Sequence, residues 1–160
     1  MERVGVIGGS GLYQLEGLKK KDEVSLDTPY GVPSDKFILA ELEGREVVFL
    51  PRHGRSHTIG PSWINYRANI YGMKKLGVGR IISLTACGSL KEEFAPLDFV
   101  IPTQFVDRTN QARNYTFFDE GIVAHISFAH PICEDFANIV YAHAQKEHIR
   151  IHFGGTYLNM

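Results

Sequence analysis

Arg3-Val4-Gly5-Val6-Ile7-Gly8-Gly9-Ser10-Gly11 begins as a β-branched run and stops in a glycine-rich turn. Val and Ile suit the pleated, half-buried surface of a strand, and glycines let the backbone bend sharply beside a ligand. Working outward, residues 36–42 and 45–50 are two further strand-like runs separated only by Glu43-Gly44, the signature of an antiparallel hairpin. Pro51 ends the second run just before Arg52-His53. Beyond it, Pro61-Ser62 offers an N-cap serine, and Ile64, Ala68, Tyr71 and Lys75 follow helical spacing until Gly77 closes the helix as a C′ glycine. Residues 80–85 read as a buried strand leaving through Ala86-Cys87-Gly88-Ser89. Residues 98–102, 149–153 and 156–160 read as strands too, while Phe136, Ile139, Val140, His143 and Ala144 define a second amphipathic helix. Alternating strands and helices with a hairpin inserted early predict an α/β fold: a mixed, twisted β-sheet flanked by helices.

Composition narrows the class. The chain has 160 residues, 44% of them hydrophobic, enough to bury a core, and no repeat or linker divides it, so a single domain over 1–160 is expected. Seventeen basic against eighteen acidic side chains give a net charge of −1, which excludes a generic nucleic-acid or membrane-surface binder. Two cysteines, Cys87 and Cys133, without CxxC spacing, exclude a disulfide scaffold and a zinc ribbon. No signal-like apolar segment begins the chain and no stretch is long enough to span a bilayer, so a cytoplasmic location is expected.

Three turns carry chemistry. Gly8-Gly9-Ser10-Gly11 fits neither a dinucleotide fingerprint, since Gln14 stands where the third glycine belongs, nor a Walker loop; its Ser10 hydroxyl can donate to an oxyanion. Arg52-His53-Gly54-Arg55-Ser56-His57 packs two arginines and two histidines into six residues at a strand end. Arg52 can grip two anion oxygens and His53 adds a directed donor. A metal shared by His53 and His57 is not expected, because Gly54 disfavours the helix that would pair them and no nearby carboxylate completes the set. At Thr85-Ala86-Cys87-Gly88-Ser89, Thr85 occupies the glycine position of a nucleophile elbow, so Cys87 reads as a packing residue and Thr85 as a hydroxyl donor beside free amides. Ser10, Arg52, His53, Thr85 and the Ala86 amide together offer neutral donors and one fixed charge, an inventory suited to inorganic phosphate that must react.

Four segments resemble the trimeric purine nucleoside phosphorylase superfamily: Gly8-Gly9-Ser10-Gly11, Asp27-Thr28-Pro29-Tyr30-Gly31-Val32-Pro33-Ser34, Arg52-His53-Gly54-Arg55 and Asn65-Tyr66-Arg67-Ala68-Asn69. Thr85-Ala86-Cys87-Gly88-Ser89-Leu90, Asp107-Arg108-Thr109 and Val123-Ala124-His125 are similar to its 5′-methylthioadenosine phosphorylase branch. The resemblance implies phosphorolysis of 5′-methylthioadenosine to adenine and 5-methylthioribose 1-phosphate, with phosphate as co-substrate and no cofactor. It further implies phosphate held by Ser10, Arg52, His53, Thr85 and Ala86, the purine lying along Cys87 and Gly88, and His57 near ribose or phosphate. His125 would be lent across an interface to the methylthio pocket of a homotrimer or dimer of trimers. Ser10 replaces the threonine frequent in relatives and keeps the hydroxyl.

Residues 154–160 resemble the strand that leads into the family's C-terminal part, which grips ribose and reads the purine. The expectation is therefore a phosphate half-site with little turnover by this polypeptide alone, and a tendency to aggregate or pair with a complementary fragment. Rival readings are a 6-oxopurine or methylthioinosine phosphorylase, a non-catalytic phosphate-binding module needing a partner chain, and a cysteine hydrolase.

Overall fold

A computed structural model describes residues 2–9, 16–109, 116–118 and 121–160. The chain divides into two compact units, residues 1–86 with 111–117, and residues 87–110 with 118–160. Among the described residues no helix is long and apolar enough to cross a membrane.

The first unit is built on a five-stranded mixed sheet. Its strands are β1 (Arg3–Gly8), β2 (Lys19–Val24), β3 (Phe37–Leu42), β4 (Arg45–Pro51) and β5 (Val78–Ser83), in the order β2-β3-β4-β1-β5. β3 and β4 form the expected hairpin: Leu42 faces Arg45, and Glu43 and Gly44 both take positive φ, 50° and 78°. Two consecutive left-handed residues match the twist of the strands they join. β4, β1 and β5 run parallel.

Pleating sorts the apolar side chains by face. Phe37, Val48, Leu50 and Ile7 pack with Met73, while Ile38, Ala40, Val47 and Phe49 form a separate buried cluster with Val4 and Val6. Met73 comes from helix α1 (Tyr66–Lys75), whose buried residues are Ala68, Asn69, Gly72 and Met73. Gly72 lets the helix approach closely, since a Cβ there would stand 2.2 Å from Cζ of Phe37.

The helix starts later than Ser62. Pro61–Trp63 form a short 3-10 turn, Ile64 is buried in extended conformation, and Asn65 is the N-cap, its side chain accepting from Ala68 N. The C-terminal end is as expected, with Gly77 at φ 76° just beyond Leu76. β5 departs from expectation too. It is the last strand of its sheet and is half-exposed rather than buried.

Among its described residues the second unit holds two parallel strand pairs and a helix. β6 (Phe99–Ile101) pairs with β8 (Ile151–Phe153), and β7 (Gln104–Asp107) with β9 (Thr156–Asn159). Gly154 and Gly155, at φ 114° and 94°, kink the ribbon between the pairs while Gly154 N donates to Ile101 O and Thr103 N to Gly155 O. Helix α2 (Glu134–Lys146) turns Phe136, Ala137, Val140 and Ala144 inward, whereas Ile139 and His143 of the expected apolar face are exposed. Asp98, at the start of β6, accepts from His152 and Ala95 N and lies 3.1 Å from the Arg150 guanidinium. The His152 bond holds its carboxyl below the usual range.

Candidate anion site at the ends of three parallel strands

Parallel strands that end at one level gather their outgoing loops on one edge, where ligands of open α/β sheets bind. Gly8 stands opposite Pro51, and Ile7 opposite Ser83. Beyond the last pairs, Arg52 N donates to Gly8 O at 3.2 Å and Leu84 N to Ile7 O at 2.9 Å. The residues that follow β4 and β5 are thereby stitched to either side of the end of β1. Ser10 lies outside the described residues; the backbone leading to it, at Gly8 and Gly9, begins between the other two turns.

Arg52 ties these turns together. Its Nη1 donates to Leu84 O at 2.7 Å, its Nη2 to Thr85 Oγ1 at 3.1 Å, and its Nε to His53 Nε2 at 3.2 Å. Those bonds occupy three guanidinium N–H groups, and a guanidinium has five. The remaining pair can reach an anion without releasing the protein contacts that aim them. Thr85 and Ala86 are exposed, and the Thr85 hydroxyl lies 3.3 Å from Ala86 O.

His53 plays a different part from the donor expected of it. Its Nδ1 lies 2.8 Å from Ile59 O, and a carbonyl only accepts, so Nδ1 carries the proton. Nε2 is then an acceptor, used by Arg52. A neutral histidine in this tautomer orients the guanidinium rather than adding a second positive charge. The His53 and His57 rings do meet, with centroids 4.7 Å apart. A turn, not a helix, brings them together: Gly54 and His57 take φ values of 72° and 55°, and His57 N donates to Gly54 O.

The cationic segment is split. Arg55 turns away to two carboxylates: its backbone N donates to Asp35 Oδ2 at 2.7 Å, its Nη2 lies 3.1 Å from Asp35 Oδ1, and its Nη1 3.2 Å from Glu23 Oε1. Hydrogen bonds from Lys20 and Arg55 lower the Glu23 pKa to about 2. Burial pulls the Asp35 carboxyl upward, but bonds from the Arg55 side chain and from the Arg55 and Lys36 amides outweigh it and leave the group below its usual range. Arg55, held by both carboxylates, is raised still further from deprotonation. Neither acid stood out in the sequence as part of a site. The signal available was a Pro33-Ser34-Asp35 turn ahead of β3, which resembles a surface loop until Arg55 is seen to seek it.

Cys87, Gly88 and His125 belong to the second unit, and all three are exposed. For Cys87 that replaces the expected packing role.

A model of the phosphorylase superfamily matches residues 3–160. This chain belongs to that superfamily. The family resemblance and the mixed sheet with flanking helices are both borne out. Among superfamily members, the S-methyl-5′-thioadenosine phosphorylase of Geobacter sulfurreducens is 56% identical over 161 residues, covering 100% of this chain and 56% of that protein. The protein of the same name from Synechocystis is 56% identical, covering 98% of this chain and 49% of its own length. A crystal structure of methylthioadenosine phosphorylase from an Antarctic soil metagenomic library superimposes with a TM-score of 0.92 at 47% identity, over 97% of this chain and 55% of that one. Methylthioadenosine phosphorylase from Schistosoma mansoni in complex with adenine gives 0.90 at 35% identity, over 99% and 64%. The chain thus spans about half the length of the curated relatives it matches.

Proposed function

We propose that this chain carries the phosphate side of a 5′-methylthioadenosine phosphorylase, a pentosyltransferase that converts the nucleoside and orthophosphate into adenine and 5-methylthioribose 1-phosphate without a cofactor. The observation that carries the reading is Arg52, bonded to Leu84 and Thr85 from one turn and to His53 from its own, at the common end of β1, β4 and β5. Relatives of this name align over nearly all of the chain.

Charge explains the design. As the glycosidic bond stretches, the bonding pair leaves with the purine, which takes up a proton, and the ribose becomes oxocarbenium-like. Phosphate on the opposite face stabilises that cation and then forms the C1′–O bond. The protein's task is to hold the anion in line and partly desolvated. A grip that was too strong would stabilise bound phosphate as much as the transition state and gain nothing. One guanidinium with neutral partners, Thr85, the Ala86 amide, His53 and by resemblance Ser10, meets that need. His57, its ring tilted against that of His53, sits beside the ribose or phosphate in this reading. Cys87 and Gly88 keep the purine role, and His125 the methylthio role in a neighbouring subunit of a cytoplasmic homotrimer or dimer of trimers, that the family resemblance gives them.

The test is phosphate-dependent release of free base from 5′-methylthioadenosine, methylthioinosine and inosine side by side. Preference for the first supports the reading, and preference for inosine moves it to a 6-oxopurine phosphorylase. Saturable phosphate binding without base release assigns this chain a half-site completed elsewhere. Release that is indifferent to phosphate overturns it.

A further inference from the structure

Arg55 lies three residues after Arg52, yet its charge is spent on Asp35 and Glu23 rather than left beside the anion turn. The Asp35 side chain is 14% exposed, and it takes both the backbone N–H and the guanidinium of Arg55. The two turns touch here: a Cβ on Gly54 would come within 3.5 Å of Ser34 O. Ser34 is in turn held by Asn69 of α1, which accepts from Ser34 N at 2.8 Å and donates to Ser34 Oγ at 2.9 Å, and Asn69 is only 2% exposed. A continuous path of directed bonds therefore runs from the core helix through Ser34-Asp35 to Arg55, and Arg55 N–H is the last fixed point before the His57 end of the turn. On the other side the turn closes through His57 N to Gly54 O and Ile59 N to His53 O.

We propose that Asp35 is a positioning residue of the anion site: by gripping Arg55 at backbone and side chain it fixes the turn that aims Arg52 and His53. The inference rests on the reading of that anion as phosphate. In-line attack tolerates little misplacement, about 1 Å costing on the order of a hundredfold.

The experiment compares the full chain with Asp35→Asn and Arg55→Met by orthophosphate calorimetry, amide exchange at His57 and Ile59, and the ¹⁵N shifts of the His53 ring. Asp35→Asn is expected to weaken phosphate about tenfold, the equivalent of one charge-assisted hydrogen bond. It should speed exchange at both amides and move the His53 ring away from the Nδ1–H signature. Arg55→Met keeps the backbone bond to Asp35 and is expected to weaken phosphate only about two- to threefold, a few tenths to half of that energy. Wild-type phosphate affinity, amide exchange and ring shifts in Asp35→Asn overturn the proposal. If Asp35→Asn fails to fold, Arg55→Met decides it: unchanged phosphate affinity and exchange overturn the proposal, and the intermediate loss supports it. A flat phosphate titration of the wild-type chain rejects the phosphate reading instead, and the clamp on the turn then stands or falls on exchange and ring shifts.

Discussion

Replacing Gly72 with alanine sets a methyl group against the ring of Phe37. The added carbon would lie 2.2 Å from Cζ and 2.6 Å from Cε2, where carbon atoms rest at about 3.5–4.0 Å. Phe37 is fully buried, in a cluster with Val48, Leu50 and Met73, so the ring has nowhere to swing. Either α1 lifts off the sheet or Phe37 leaves its rotamer, and overpacking of this kind typically costs about 1–3 kcal/mol. Alanine returns roughly 1 kcal/mol of helix propensity. With a contact more than about 1 Å too close, the clash should win by about 1–2 kcal/mol, which for a chain of this size lowers the melting temperature by about 2–8 °C. Thermal unfolding followed by circular dichroism measures it, and Phe37→Leu in the Gly72→Ala background should recover part of the loss. A Gly72→Ala chain that melts above wild type, or one that Phe37→Leu only worsens, would refute the packing described for α1 on β3.

Asn65→Ala removes the N-cap acceptor for Ala68 N and the donor to Tyr30 O, and should cost about 1–2 kcal/mol in chemical denaturation. Glu23, bonded to Lys20 and to Arg55, gives a pH dependence with a definite sign. Its folded pKa lies near 2 against an ordinary 4.5, so the stabilisation is complete above the ordinary value and lost as pH falls toward about 2. The gap in denaturation midpoint between wild type and Glu23→Gln should therefore close on acidification, and a constant gap would contradict the pairing. Asp98→Asn, which weakens the bond to His152 and the pairing with Arg150, should lower the stability of the second unit at neutral pH, and the deficit should shrink in acid, where the wild-type carboxylate is protonated too.

What was legible in the sequence follows from how local each cause is. The β3–β4 hairpin depends on two turn residues with positive φ, and Glu43-Gly44 announces them. The C-terminus of α1 is announced by Gly77, which takes φ 76° just past the Leu76 C-cap. Its N-terminus is not, because Ser62 and Asn65 are both competent caps and the choice falls to the buried, extended Ile64 between them. β2 carries no strand signal in the sequence, because Lys19-Lys20-Lys21-Asp22-Glu23-Val24 has no apolar alternation. It is an edge strand with an irregular register, held by β3 on one side and by ion pairs across its surface. Among the candidate site residues, Arg52, His53 and Thr85 are legible because strand ends and side-chain chemistry both point to them. The neutral tautomer of His53 is not, since it depends on a carbonyl six residues away. Asp35 was invisible for the same reason, its partner being twenty residues distant.

Orthophosphate titration of the chain, repeated with Thr85→Val and Arg52→Lys, bears most directly on whether these turns form an anion site. Thr85→Val keeps the shape and removes the acceptor of Arg52 Nη2, and Arg52→Lys keeps the charge and removes the fork. Single-site binding in the wild type, weakened about tenfold or more by each substitution, is the predicted result. Absence of saturable binding, or binding that neither substitution disturbs, would contradict it.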